Sequence, residues 1–368
     1  MYNVLLDHKF LNEIKTMKKI CPFGTHRVIE PVGALPQNAS RLDNSLPLQE
    51  NELLINVDTL NIDSASFHQM LEQANGDAAE VGRIVKSTVK KRGKQHNEVT
   101  GSGGMLLGTI AQSGPLFPGH SALQPGLRIA TLVSLTLTPL SLSEIVDVHP
   151  SRDQVEVHGH GILFPSGSYA FIPSDLPETL SLAALDVCGA PAHMARFVKP
   201  GMTVVVMGAA GKSGFLCCAA IREILGDSGQ LVGVEFKHGP ALKSLESLGL
   251  CNNIILADAT SSVEVYERVN EVTHGDLADL VVNLTNVPNT EMSCILSAKS
   301  RGTVFFFSMA TSFSKAALGA EGVSCDANLV IGNGFIPGAA EFTLDLIRRN
   351  AGLRAYMQSQ YSLSTNTA

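Results

Sequence analysis

The rhythm of hydrophobic and polar positions changes once along the chain. Up to about residue 175 the apolar residues come in short runs broken by Gly and Pro. Residues 53–57, 105–111 and 128–137 are such runs, with Ser113-Gly114-Pro115 and Pro118-Gly119 marking turns. Short β-like runs between turn signals predict a mostly β, barrel-like domain. The pattern alters near Pro173-Ser174-Asp175. Residues 180–198 have a helical period, and Pro200-Gly201 then turns into Thr203-Val204-Val205-Val206-Met207. A continuous apolar run of that length suits a parallel strand buried on both faces. Beyond it, helices at residues 221–225 (the end of one), 240–248, 263–272, 290–298 and 339–349 are interleaved with strands at 230–236, 253–257, 279–284, 302–307 and 328–331. Such alternation predicts a doubly wound parallel sheet. The expected organisation is a first domain over residues 1–175, an α/β domain over 176–350 and a C-terminal segment over 351–368.

Composition narrows the class. The chain has 368 residues, a length that favours two cores over one, and its 45% hydrophobic and 17% charged content is that of a folded protein. Net charge is −7 with no basic stripe, so no nucleic-acid partner is expected. No run approaches the length of a membrane span, and residues 1–20 lack the apolar stretch of a secretory leader. The seven cysteines are scattered without a Cys-x-x-Cys pair, which points to reduced thiols and a cytoplasmic protein.

The strand at residues 203–207 runs directly into Gly208-Ala209-Ala210-Gly211-Lys212-Ser213-Gly214, and a helical pattern follows. Glycines three apart between a strand and a helix have separate physical tasks. One makes the tight turn, one lets backbone approach a pyrophosphate, and one lets helix pack on strand. The helix start then offers free N–H groups to the anion. Glu235 ends the next predicted strand, about twenty residues on, where a carboxylate meets the adenosine ribose hydroxyls. A carboxylate repels a 2′-phosphate, so the expected cofactor is NAD, with NADP second because Lys237 and His238 follow at once. The predicted domain is therefore of Rossmann type. Lys212 and Ser213 are expected to face the pyrophosphate. Asn283, Leu284 and Thr285, at the carboxyl end of a central strand, are expected to flank the nicotinamide ribose. Asp258 either edges the adenine pocket or caps a helix with Thr260.

This layout resembles the medium-chain dehydrogenase/reductase superfamily, a GroES-like domain followed by a Rossmann domain. Leu60-Asn61-Ile62-Asp63-Ser64 resembles the segment lining the active site of zinc-free members. Gly101-Ser102-Gly103-Gly104-Met105-Leu106-Leu107-Gly108 resembles the glycine-rich strand after it. The zinc-binding members carry a Cys in the first segment and Gly-His-Glu in the second. Both are missing here, with only His96 and Glu98 just upstream as stand-ins, so the resemblance implies no metal. Within the superfamily, three stretches resemble its branch acting on diamino acids in lysine fermentation. They are Cys21-Pro22-Phe23-Gly24-Thr25-His26-Arg27-Val28-Ile29-Glu30-Pro31, the loop at 208–214, and Asn333-Gly334-Phe335-Ile336-Pro337-Gly338. That resemblance implies NAD-dependent oxidative deamination of a small diamino acid, 3,5-diaminohexanoate, to 5-amino-3-oxohexanoate, ammonia and NADH. It also implies a homodimer.

Hydride leaves carbon only from a neutral amine. An alkyl ammonium is neutral in roughly one molecule per thousand at pH 7, a deficit of about 4 kcal/mol. A base, or a desolvated pocket, must offset it. Asp63 is the first candidate for that base, because its segment matches the active-site lining; the alternative is a strand-end turn bond. Glu98 is the second, against a solvated loop acid, and His68 the third, against a packing residue. The basic run Arg83, Lys86, Lys90, Lys91, Arg92 and Lys94 is expected to be a solvated face, and His158-Gly159-His160 a strand edge. Two other functions keep the fold: a zinc-free reductase of quinones or enoyl thioesters, and a non-catalytic dinucleotide-binding protein.

Overall fold

A computed structural model of the protein describes residues 21–361. The expectations for residues 1–20, and for the end of the C-terminal segment at 362–368, lie outside the described residues. The chain divides after Pro173 into two compact units.

In the first unit, β1 (Val28–Glu30) and β2 (Arg41–Leu42) form a small antiparallel pair. Six further strands form the main sheet: β3 (Leu53–Asn61), β4 (Met105–Ser113), β5 (Arg128–Thr131), β6 (Leu140–His149), β7 (Gln154–Leu163) and β8 (Tyr169–Phe171). Their order is β6-β7-β3-β4-β5-β8, antiparallel throughout. Leu53, Ile55, Val57 and Leu60 of β3 are buried together with Leu106, Ile110, Ile129, Val155 and Val157 of its neighbours.

Two helices of this unit were not apparent in the hydrophobic pattern. Asp63 caps α1 (Ser64–Gln73), accepting from the Ser66 amide, and Asp77 caps α2 (Ala78–Arg92) through the Ala79 and Glu80 amides. Phe67 and Met70, with the partly buried Leu71, form the stripe of α1. Val81, Val85 and Val89 form that of α2. Lys90, Lys91 and Arg92 sit in the last turn of α2, where cations suit the helix dipole. Gly93 then closes the helix at φ +67°, where a Cβ would stand 2.0 Å from the Leu42 carbonyl oxygen. Lys94 departs from the expected solvated face: it is fully buried, and its ammonium donates to the carbonyls of Pro36, Gln37 and Thr136 at 2.7–3.0 Å. Burial pulls it down to about 8.

A buried ion pair pins the start of the unit. Arg27 donates through Nε and Nη2 to both carboxylate oxygens of Glu52 at 2.8 and 2.7 Å, and His26 and the Gln49 amide bond the same carboxylate.

The second unit opens with α3 (Glu178–Leu185) and α4 (Gly189–Phe197). The single helix expected over 180–198 is thus two. Pro191 falls in the first turn of α4, where its missing N–H costs nothing. Inside one continuous helix it would break the ladder. The sheet follows as β9 (Thr203–Met207), α5 (Lys212–Leu225), β10 (Gln230–Glu235), α6 (Pro240–Ser247), β11 (Asn253–Leu256), α7 (Ser262–Val272), β12 (Ala278–Asn283), α8 (Glu291–Ser297), β13 (Ala298–Phe306), α9 (Phe313–Gly322), β14 (Asn328–Ile331), α10 (Ala339–Arg349) and α11 (Ala351–Tyr361). All six strands are parallel, in the order β11-β10-β9-β12-β13-β14. Val204, Val205, Val206 and Met207 of β9 are fully buried, as their run predicts. Helices α9 and α11 were not anticipated; the latter buries Leu353 and Met357 within the segment treated above as a tail.

Candidate active site

Strand order reverses between β9 and β12, because β9 lies between β10, which follows it in sequence, and β12. In open parallel sheets ligands bind outside the carboxyl ends of the strands at such a point. Gly208 leaves β9 at φ +77°, and a Cβ there would stand 3.2 Å from Thr285 Cγ2 and 3.4 Å from the Leu284 carbonyl carbon. The Leu284 amide in turn donates to the Met207 carbonyl at 3.1 Å. The glycine loop and residues 283–285 therefore lie side by side. Gly214 is the closest-packed of the loop glycines: a Cβ would fall 2.0 Å from the Gly208 carbonyl oxygen. Gly211 precedes α5 and supplies no side-chain cap, which leaves the first-turn amides to an anion.

Glu235, at the end of β10, reaches back over this loop and accepts from the Ala210 amide at 2.5 Å. Phe236 beyond it is exposed. The cradle fits a dinucleotide: backbone donors for its phosphates and a carboxylate held at the edge where a ribose diol would lie.

Other sequence candidates are tied up within the protein. Lys212 Nζ donates to Asp186 at 2.6 Å. Asn283 is buried, donates to Thr290 Oγ1 at 2.9 Å and accepts from the Thr285 amide and hydroxyl. Asp258 accepts from the Thr260 amide and hydroxyl, both at 2.8 Å, and those bonds hold its carboxyl below the usual range.

In the first unit the two segments singled out above meet. Asn61 at the end of β3 pairs with Met105 at the start of β4. Gly104 lies against Asn61–Asp63 backbone, where a Cβ would be 2.2 Å from the Asn61 carbonyl oxygen. Asp63 Oδ1 caps α1, while its Oδ2 is buried without a hydrogen-bond partner among the described residues. Glu98 is mostly exposed and paired with Arg92. His68 is also mostly exposed, and its Nδ1 bonds the Ser64 carbonyl at 2.8 Å one turn back. Asp63, Glu98 and His68 thus sit in different settings, and only Asp63 presents a buried, uncommitted oxygen. Sequence reasoning passed over Gln95 and weighed His96 only as a stand-in metal ligand; their Oε1 and Nδ1 are likewise buried and unpartnered. No periodicity marks them, since residues 95–104 are loop. His160 Nε2 bonds the Asn44 carbonyl from within β7. Among the described residues no group of three or more His, Cys, Asp or Glu is placed to hold a metal ion.

An antiparallel first unit and a six-stranded parallel second unit with a glycine cradle at its switch point define a nicotinamide-dinucleotide-dependent oxidoreductase of the medium-chain dehydrogenase/reductase type. Solved structures of similar fold include a mycobacterial protein complexed with NADPH (17% identity, 86% of this chain and 91% of that one, TM-score 0.53) and a Pseudomonas syringae quinone oxidoreductase (16% identity, 87% and 85%, TM-score 0.50). Residues 26–173 match the family described as L-erythro-3,5-diaminohexanoate dehydrogenase N-terminal domain. Two relatives named L-erythro-3,5-diaminohexanoate dehydrogenase are similar over nearly their whole length. The one from Acetoanaerobium sticklandii is 49% identical over 93% of this chain and 99% of its own. The one from Fusobacterium nucleatum is 48% identical over 94% and 100%. The chain belongs to the L-erythro-3,5-diaminohexanoate dehydrogenase family.

Proposed function

We propose that the protein oxidatively deaminates L-erythro-3,5-diaminohexanoate with NAD, giving 5-amino-3-oxohexanoate, ammonia and NADH. The observation that carries this reading is the near-half identity, over almost the full length of both chains, to relatives of that name. The structure supports the choice of NAD through Glu235, whose carboxylate is fixed against the loop by the Ala210 amide and would repel a 2′-phosphate.

In this reading the loop from Gly208 to Gly214 cradles the pyrophosphate: Ser213 and Gly214 donate first-turn amides, while Gly208, Ala209, Ala210 and Gly211, whose own amides bond Val234, Glu235 and Gly208, shape the turn. Lys212 contributes its amide, since its ammonium is engaged by Asp186. Asn283 acts indirectly, shaping the turn that carries Leu284 and Thr285. A bound nicotinamide would accept the hydride from C3. The chain itself must hold the C3 amine, remove a proton from its ammonium form and later admit a water to the carbon. Asp63 is the acid we assign to the amine, because Oδ2 is buried and free of other bonds. Glu98 and His68, both exposed and both already bonded, are the weaker assignments.

The described cysteines are all free thiols, which supports a reducing, cytoplasmic setting. No helix among the described residues is long and apolar enough to cross a membrane. We further propose a homodimer through β14. That strand ends the sheet order, and Ile331 on it, with Met309 and Phe313 nearby, is a large exposed apolar side chain.

Absorbance at 340 nm tests the reaction. NADH formed with the diamino acid, with ammonia released in equal amount, supports it. Silence with the diamino acid but turnover of a quinone or an enoyl thioester would leave the fold and remove the reaction.

A further inference from the structure

Among the buried polar atoms of the first unit that nothing in the described chain satisfies, three belong to Asp63 and to the loop packed beside it: Asp63 Oδ2, Gln95 Oε1 and His96 Nδ1. They lie on two stretches of chain bound to each other, residues 61–66 and 95–104. Asn97 Nδ2 donates to Gln69 Oε1 at 2.7 Å and to the Ser66 carbonyl at 3.5 Å. The hydroxyls of Ser66 and Thr100 bond at 2.6 Å. Gly103 and Gly104 complete the junction, the first against the Gln95 backbone and the second against that of Asp63. A buried acceptor left without a donor has lost its water and gained nothing in return. Three in one corner of a fold call for a donor that arrives from outside.

The chemistry of the three atoms says which donor. A carboxylate oxygen and an amide oxygen only accept, and a neutral imidazole accepts at the nitrogen that carries no proton. An ammonium carries three N–H groups and accepts nothing. A carboxylate or phosphate group would find no donor here. Burial, and then the charges of Lys94 and Arg92, depress the protonation of His96, so the imidazole stays neutral at pH 7 with a lone pair to offer. Neither cation is free to turn into the site. Lys94 is locked to three carbonyls, and Arg92 is paired with Glu98.

We propose that Asp63 Oδ2 and Gln95 Oε1 hold the C3 ammonium of the substrate and that His96 Nδ1 takes a proton from it. The inference rests on the deamination reading. In the step itself an N–H bond of the ammonium breaks and its electron pair stays on nitrogen. The proton bonds to the Nδ1 lone pair and passes from there to solvent. The amine is left neutral, the form from which a hydride can depart. Asp63 is then an anchor that positions the nitrogen, and His96 is a catalytic base for the same atom.

The test uses the full-length enzyme with NAD. His96→Gln is expected to lower kcat about 10²–10⁴-fold with KM little changed. The acidic limb of the wild-type pH profile should disappear with it, and added imidazole should restore part of the rate in His96→Gly. Asp63→Asn keeps the cap to Ser66 and is expected chiefly to raise KM, by roughly tenfold or more. Wild-type protein with histidine labelled for NMR gives an independent reading. The His96 resonance, assigned through its backbone correlations in the wild type, should shift on adding 3-aminobutyrate, which carries the C3 amine alone. It should stay still with 5-aminohexanoate. Normal turnover and an intact acidic limb in His96→Gln would overturn the inference while leaving the deamination reading in place. Should either variant fail to fold, an unmoved His96 resonance in the wild type would overturn it equally. A wild-type enzyme inactive on the diamino acid would instead bring down the reading on which the inference rests.

Discussion

Glu235 and Ala210 are joined by a hydrogen bond of 2.5 Å from the Ala210 amide to Oε1, so the carboxylate at the end of β10 and the phosphate loop after β9 form one piece. The bond uses Oε1 and leaves Oε2 without a hydrogen-bond partner among the described residues. A charge held in place discriminates better than one that swings, because a 2′-phosphate cannot push it aside without breaking the loop contact.

Glu235→Ala is therefore expected to weaken NAD binding by about tenfold and to raise the NADP-to-NAD preference by more than that. Cofactor fluorescence titration with both nucleotides measures it. Equal loss toward both would mean that the carboxylate serves only the loop.

Gly214→Ala sets a Cβ 2.0 Å from the Gly208 carbonyl oxygen, a backbone atom that cannot yield without moving the loop. The expected result is a loss of about 1–3 kcal/mol in stability and a larger loss of dinucleotide binding. Gly211→Ala meets nothing closer than 3.4 Å within the protein and is the control: it should fold normally and weaken binding only through the ligand. Thermal melts with and without NAD separate the two.

How legible this was depended on the physical signal each residue left in the sequence. Val204 to Met207 are buried on both faces, which forces an unbroken apolar run, and the glycines after them are demanded by backbone contacts. Both marks are local. Helices α1 and α2 were hidden because polar residues outnumber their stripes. The caps Asp63 and Asp77 were the available clue, and Asp63 was read for chemistry instead. Gln95 left no local mark and His96 was read only as a stand-in metal ligand, since loop 95–104 packs onto α1 through long-range contacts. Lys94 looked like part of a solvated run and is buried by other long-range contacts, to the carbonyls of Pro36, Gln37 and Thr136.

The ion pair of Arg27 with Glu52 makes a prediction about acid. Burial pushes the Glu52 carboxyl up, but the hydrogen bonds from Arg27, His26 and the Gln49 amide outweigh it and bring it to about 2, below the ordinary 4.5. A depressed carboxylate contributes stability above its unfolded value and loses that contribution as pH falls toward the folded one. Stability is therefore expected to drop between pH 4.5 and 2, and Glu52→Gln should flatten that limb. At neutral pH the same variant leaves Arg27 buried and uncompensated, at a cost of about 3–5 kcal/mol. Denaturant unfolding across that pH range is the measurement.

If β14 is the contact between two copies, a charge on it should separate them. Ile331→Lys places an ammonium on a largely exposed position of the terminal strand. Sedimentation should show the wild type at twice the mass of the chain and the variant at once, with unchanged circular dichroism. A wild-type monomer would refute the dimer.

The central claim is that the C3 amine of the substrate loses its hydride to the nicotinamide. Incubation of the enzyme with NAD and the 3-deuterated diamino acid, followed by mass spectrometry of the reduced cofactor and an ammonia assay, tests it most directly. One deuterium in each NADH, matched by one ammonia, is the result the account predicts. Unlabelled NADH, or ammonia released without any NADH, would contradict it.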